Sequence, residues 1–241
     1  MEKSNIHEKI KLLTGNGMWH TQETEDLPSV HLSDGPHGLR KQEEKERQNN
    51  VSLVSTCYPT ASALACSWDV TAAERLGRAV AKEAWNADVA VLLGPGINMK
   101  RSPLCGRNFE YFSEDPFLAG RLGAAYVSAA QGEDVAVSLK HFAANNQETN
   151  RQTANSQIDE RALREIYLSA FEYVVKTARP ATVMASYNRL NGYYACENRH
   201  LLTEILREEW GFDGVVISDW GACADSVSYT HLRAHETGRN L

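Results

Sequence analysis

Four continuous apolar runs of strand length, each set off from the next by a longer helix-periodic stretch, constrain this chain more than any other feature. They are Val89-Ala-Val-Leu-Leu93, Val135-Ala-Val-Ser-Leu139, Ala181-Thr-Val-Met-Ala-Ser186 and Gly214-Val-Val-Ile-Ser218. A strand that is apolar on both faces must be covered on both faces, and amphipathic helices between such strands indicate a parallel sheet. Residues 71–87 carry Ala72, Leu76, Ala79, Val80 and Ala84 at helical spacing. Residues 116–131, 159–177 (capped near Asp159) and 200–210 are the other expected helices. A fifth strand is expected over Val30–Asp34, and a sixth is weighed around Thr56 to Leu64.

This order fits an α/β fold of the (β/α)8 TIM-barrel type, which typically takes about 250 residues. With 241 residues and about six of eight strands legible, the expectation is a barrel truncated at its C-terminal end. A doubly wound sheet is the structural rival. It would carry a glycine-rich phosphate loop after its first strand, and Gly35-Pro-His-Gly38 does not have that form.

A net charge of −6 argues against a nucleic-acid partner, because phosphate binding needs a basic cluster. Lys41 to Arg47 is interleaved with Glu43, Glu44 and Glu46, the pattern of a solvated loop or helix. No run of 18 apolar residues occurs, so no membrane partner is expected. The first residues are polar and lack the apolar core of a secretory signal. Cys57, Cys66, Cys105, Cys196 and Cys223 are scattered singly, which fits reduced thiols and a cytoplasmic location.

In a β/α barrel the catalytic side chains project from the carboxyl ends of the strands. Beyond those ends lie Ser33-Asp-Gly-Pro-His-Gly-Leu-Arg40, Gly106-Arg-Asn-Phe-Glu110 with Ser113-Glu-Asp-Pro116, Lys140-His141, Met184-Ala-Ser-Tyr187 and Ser218-Asp-Trp220. Each segment brings polar or charged groups to a strand end. Taken singly, several have plain structural readings. Asp34 could serve a turn, Asp219 a helix N-cap, and Arg107 an ion pair with Glu110 or Glu114. His141 could be a satisfied buried histidine, Met184 and Tyr187 core packing, and Trp220 a plug for the barrel end.

Taken together, and in this order, the segments resemble the motifs of glycoside hydrolase family 3, most of all its bacterial β-glucosidase branch, from about residue 6 to about residue 224. The resemblance implies an N-terminal β/α barrel followed by an α/β sandwich domain, and hydrolysis of β-linked sugars with retention. It implies that Asp219 is the nucleophile, a strand-end carboxylate able to form a glycosyl-enzyme. It further implies that Asp34, Arg107, Lys140, His141, Met184 and Tyr187 line the subsite for the non-reducing sugar. Asp34 would accept hydrogen bonds from sugar hydroxyls, and Trp220 would stack on a sugar face. No metal or organic cofactor is implied, and the partner is a small β-glucoside or oligosaccharide.

The chain departs from that pattern twice. Retention needs a second carboxyl roughly 5–5.5 Å from the first, and in the family's β-glucosidases it is a Glu of the sandwich domain, absent here. Glu110 and Glu148 are carboxyls within the expected barrel, but no motif makes either the acid. The loop Lys140-His-Phe-Ala-Ala-Asn-Asn146 lacks the catalytic histidine of the β-N-acetylglucosaminidase branch. After Ala222 the text leaves the family pattern, and Ser226 to Thr237 resembles a translated sequencing adapter. The expected organisation is therefore an incomplete barrel over residues 1–225 and a foreign tail over 226–241. The i, i+4 pair His231 and His235 in that tail is accordingly not read as a metal site. The fragment itself is expected to be inactive. The alternatives are another family 3 glycosidase, such as a β-xylosidase, or a non-catalytic carbohydrate-binding fragment.

Overall fold

The computed structural model describes residue 8 and residues 11–42 and 51–223. Five strands form one sheet, parallel throughout: β1 (Leu32–Asp34), β2 (Val91–Leu93), β3 (Ala136–Phe142), β5 (Thr182–Ala185) and β8 (Val215–Ser218), hydrogen-bonded in that order. Short strands β4 (Asn155–Ser156), β6 (Arg189–Leu190) and β7 (Tyr193–Tyr194) make a separate three-stranded patch. Among the described residues the main sheet is open, with β1 and β8 at its edges.

The helices begin where the sequence supplies caps. Thr60 accepts from the Ala63 amide at the start of α1 (Ala61–Ala65), and Asp69 from Thr71 at the start of α2 (Val70–Asn86). Asp115 caps α3 (Pro116–Gln131), with Pro116 in the first turn where its missing N–H costs nothing. Asp159 accepts from the Ala162 amide and opens α4 (Glu160–Ala162). That helix passes through a π-helical turn, Leu163–Tyr167, before α5 (Ser169–Ala178), so the single long helix expected there is interrupted. Residues His200–Glu209 are also π-helical.

The sixth strand weighed around Thr56 to Leu64 is not formed. Residues 53–60 form no strand, and Thr60 starts α1 at Ala61. The side chain of a capping residue satisfies an amide that a strand ladder would otherwise need, so the segment turns helical. The loop or helix expected over 41–47 lies mostly outside the described residues, as do the tail 226–241 and His231 and His235. Among the described residues no helix is long and apolar enough to cross a membrane.

Side chains alternate across the sheet with a period of two. Leu92, Val137, Leu139, Val183, Ala185 and Val216 pack into the large core beneath the helices. Val91, Leu93 and Met184 belong to a smaller cluster on the opposite face, joined by Leu32, Ala136, Ile217, Trp19 and Trp220. The same parity that puts Leu32, Ala136 and Ile217 on this inner face carries Asp34, Lys140 and Asp219 onto it at the strand ends.

Helices α2 and α3 meet at a glycine. A Cβ built on Gly77 would lie 2.5 Å from the backbone oxygen of Tyr126, so only a hydrogen fits between the two helices. Gly77→Val is expected to lower stability by about 1–3 kcal/mol, the usual cost of overpacking a rigid contact. A urea midpoint unchanged from wild type would show that the helices separate freely.

Candidate active site

Strand β1 delivers Asp34 into a turn that only glycine can make. Gly35 has φ +115° and Gly38 φ +144°, and a Cβ on Gly35 would lie 2.0 Å from the Gly38 oxygen. The turn closes through Gly38 N–H to the Gly35 carbonyl and Arg40 N–H to the Asp34 carbonyl. The Asp34 carboxylate is thus left free of the turn, and it takes an ion pair instead, with Lys140 Nζ at 3.4 Å.

Strand β3 poses a problem of parity, because consecutive residues of a regular strand point to opposite faces. Lys140 and His141 nevertheless both reach the inner side. Leu139 pairs with Val183 and Phe142 with Ala185, so β3 spends three steps where β5 spends two. This extra residue is a bulge, and bulges re-aim side chains in just this way. The His141 peptide is then clamped from both sides by Asn98, whose Oδ1 accepts from His141 N at 2.7 Å and whose Nδ2 donates to His141 O at 2.8 Å.

Arg107 and Glu110 come from a loop pinned by Ser62. The Ser62 hydroxyl donates to Asn108 O at 2.6 Å, and Lys100 Nζ donates to the same hydroxyl at 2.6 Å. Arg107 Nε is ion-paired with Glu110 Oε1, and Lys140 Nζ lies 3.7 Å from Glu110 Oε2. Asp34, Lys140, Glu110 and Arg107 thus form one chain of alternating charge. Lys140 is 3% exposed and Glu110 5%.

Asp219 continues the β5–β8 ladder by one bond, its N–H donating to Ala185 O at 2.9 Å. Its Oδ1 accepts from the Trp220 amide at 2.8 Å, while Oδ2 is buried with no hydrogen-bond partner. The described residues after it make a turn, Ala222 N–H to Asp219 O, so the helix-cap reading does not apply. Burial raises the Asp219 carboxyl above the usual value of 3.8, while the Trp220 amide, Arg107, Lys140 and Tyr187 pull the other way. His141 Nε2 stands 3.8 Å from Oδ2. Burial, and then the positive charges of Arg107, Lys140 and Arg151, hold the His141 imidazole well below its ordinary value, so it is neutral.

All of Asp34, Arg107, Lys140, His141, Met184, Tyr187, Asp219 and Trp220 line one cavity of about 560 Å³. Arg107 also makes the ion pair with Glu110 that its structural reading required, so the two readings hold together. Tyr187 donates its hydroxyl to Trp220 O at 2.7 Å; burial, and then Asp219, push its phenol up to about 12. Trp220 donates its indole N–H to Met18 O at 2.8 Å and sits 5.3 Å from the Trp19 ring.

Sequence reasoning missed several lining residues: Trp19, His37, Arg40, Phe109 and Arg151. It left Glu110 without a role. Arg151 lies ten residues beyond β3's bulge and returns over the cavity, its guanidinium 4.4 Å from the centre of the Tyr187 ring. His37 lies in the glycine turn after β1, and burial holds its imidazole down to about 4. A lone charged residue in a long loop gives no sequence signal of where it returns.

Comparison with known proteins follows the same lines. The model for the glycosyl hydrolase family 3 N-terminal domain matches residues 35–239, a span that runs into the segment 226–241. Thermostable beta-glucosidase B of Acetivibrio thermocellus is 53% identical over 232 residues, 95% of this chain and 31% of that protein. An exo-alpha-(1->6)-L-arabinopyranosidase of Bifidobacterium longum is 50% identical over 225 residues, 91% of this chain and 30% of its own. The solved beta-glucosidase of Kluyveromyces marxianus in complex with glucose superposes with a TM-score of 0.91 at 41% identity, covering 95% of this chain and 27% of that one. The chain therefore spans about a third of the length of the relatives it matches.

The buried charge chain generates a stability prediction. Glu110→Ala leaves Lys140 and Arg107 short of their common partner, which is expected to cost about 3–5 kcal/mol, as for other broken buried pairs. Glu110→Gln, which keeps a polar acceptor, is expected to cost less. Equal urea midpoints for the two variants would show that the charge of Glu110 is immaterial.

Proposed function

We propose that this chain, which belongs to glycosyl hydrolase family 3, is the N-terminal part of a retaining β-glucosidase that releases terminal non-reducing β-D-glucosyl residues from small glucosides. In this reading the parallel sheet is part of a β/α barrel, and Asp219 is the nucleophile. The observation that carries it is the buried, partnerless Oδ2 of Asp219, opening on a cavity shared with Asp34, Arg107, Lys140 and His141. A lone pair left unsatisfied in a buried site costs stability, and attack on an anomeric carbon is a use for it.

The step proposed is attack by Asp219 Oδ2 on the anomeric carbon as the bond to the leaving oxygen breaks. A carboxylic acid outside this chain gives that oxygen its proton, and water later cleaves the glycosyl-enzyme with the same carboxylate as base. Asp34 accepts from sugar hydroxyls, while Arg107, Lys140 and His141 donate to them. Met184 and Tyr187 form the wall of the subsite, and Trp220 offers an aromatic face. Arg151, stacked on Tyr187, adds a further cation to the rim. The arabinopyranosidase relative favours one second reading, a pyranoside lacking the glucose hydroxymethyl group, and paired assays with aryl β-glucoside and aryl α-L-arabinopyranoside distinguish the two.

A 2-fluoro-β-glucoside with a good leaving group is expected to label Asp219 in the full-length protein, and Asp219→Ala to abolish both labelling and turnover. Labelling of another carboxylate overturns the assignment. Attack needs the ionised form, and burial raises this carboxyl. The labelling rate should therefore fall as pH drops through a midpoint above 3.8, and a midpoint at or below 3.8 would contradict the desolvated site.

The proposed organisation is a barrel portion over 1–225 with a foreign tail over 226–241. Reading the uninterrupted gene past Ala222 is expected to give further β/α repeats and then a second domain. A gene that continues as the present tail and stops there refutes this.

A further inference from the structure

We propose that Tyr111 is a positioning residue that fixes the tautomer of His141, holding the ring proton on Nε2, where it faces Asp219 and the cavity. A hydrogen-bond network runs from the partly exposed Arg151 and Glu148 inward to His141. Glu148 Oε2 accepts from Arg151 Nη1 at 2.8 Å, and Glu148 Oε1 accepts from Asn145 Nδ2 at 3.3 Å. A carboxylate only accepts, so the Asn145 atom that faces it must be the amide nitrogen. That same nitrogen lies 3.4 Å from the Tyr111 hydroxyl, which therefore accepts there. The hydroxyl keeps one proton to donate, and His141 Nδ1 stands 3.0 Å away. Nδ1 is then the acceptor, and the neutral ring carries its proton on Nε2.

The other end of the ring gives the same answer independently. Nε2 faces Asp219 Oδ2 at 3.8 Å. An unprotonated Nε2 would set a lone pair against the carboxylate, whereas Nε2–H offers it a donor. Tyr111 is fully buried and its phenol is raised well above its ordinary value by burial, so the hydroxyl keeps its proton. His141 is 1% exposed, its peptide is clamped by Asn98, and its two ring nitrogens face different partners, Nδ1 the Tyr111 hydroxyl and Nε2 the Asp219 carboxylate.

The consequence for catalysis rests on the reading of Asp219 as nucleophile; the tautomer does not. The experiment uses the full-length protein with ring-15N-labelled histidine. Long-range 1H–15N correlation at neutral pH should show His141, identified by its loss in His141→Gln, with Nδ1 unprotonated and Nε2 protonated. Tyr111→Phe, which keeps the ring and removes the hydroxyl, takes away one of the two contacts that favour Nε2–H and should raise the Nδ1–H population above its wild-type level. Asn145→Ala, which removes the donor that orients Tyr111, carries the same expectation should the first variant fail to fold. In Tyr111→Phe, kcat for an aryl β-glucoside should fall about tenfold, the kinetic equivalent of one lost hydrogen bond, with a smaller change in KM. An Nδ1–H signal in the wild type, or an unchanged signal in a folded variant, overturns the proposal. Failure of the nucleophile reading would appear separately, as absence of Asp219 labelling in the wild type.

Discussion

The ammonium of Lys140, buried at the end of a parallel strand, organises the rest of this site. A charge taken out of water must be paired or it destabilises the fold by several kcal/mol. Lys140 meets that requirement with two carboxylates from different parts of the chain, Asp34 at the end of β1 and Glu110 in the loop that carries Arg107. One desolvated cation thereby ties two strand ends and a long loop into a fixed geometry. Glu110, held between Lys140 and Arg107, spaces those two cations apart while neutralising part of their charge.

The same cluster sets the protonation of its neighbours. Three cations around a desolvated imidazole keep His141 neutral, so its two nitrogens take distinct roles, one accepting and one donating. Asp219 feels the opposite balance. Burial raises its carboxyl, the Trp220 amide, Arg107 and Lys140 offset part of that rise, and one of its oxygens is left bare. The charge chain and Asp219 are thus one electrostatic unit.

Beneath the site, the sheet acts through parity. A period of two puts Leu32, Ala136, Met184 and Ile217 on one face, and the same parity carries Asp34, Lys140 and Asp219 onto it. The bulge at Lys140 and His141 departs from that rule. It is what allows two adjacent side chains to serve one cavity. The glycine turn after Asp34 plays the matching part at β1, freeing a carboxylate that a tighter cap would have consumed.

What the sequence determined by itself is the order of elements and the identity of the strand-end residues. Apolar runs, the helix cap at Asp159, and the ordered motifs are local signals, and the five strands and all of the expected cavity residues follow from them. Where local signals competed, the sequence was ambiguous. Residues 56–64 read as a weak strand until Thr60 proved to be a cap, and the helix after Asp159 gave no sign of its π-helical turn. Only the tertiary structure decided that Arg107 both pairs with Glu110 and faces the cavity, that Arg151 returns over Tyr187, and that Tyr111 and Asn145 stand behind His141. Those facts depend on contacts between residues some thirty to forty positions apart or on loop paths. Hydrophobic period and capping chemistry carry no information about either, because both are set by neighbours along the chain and not across it.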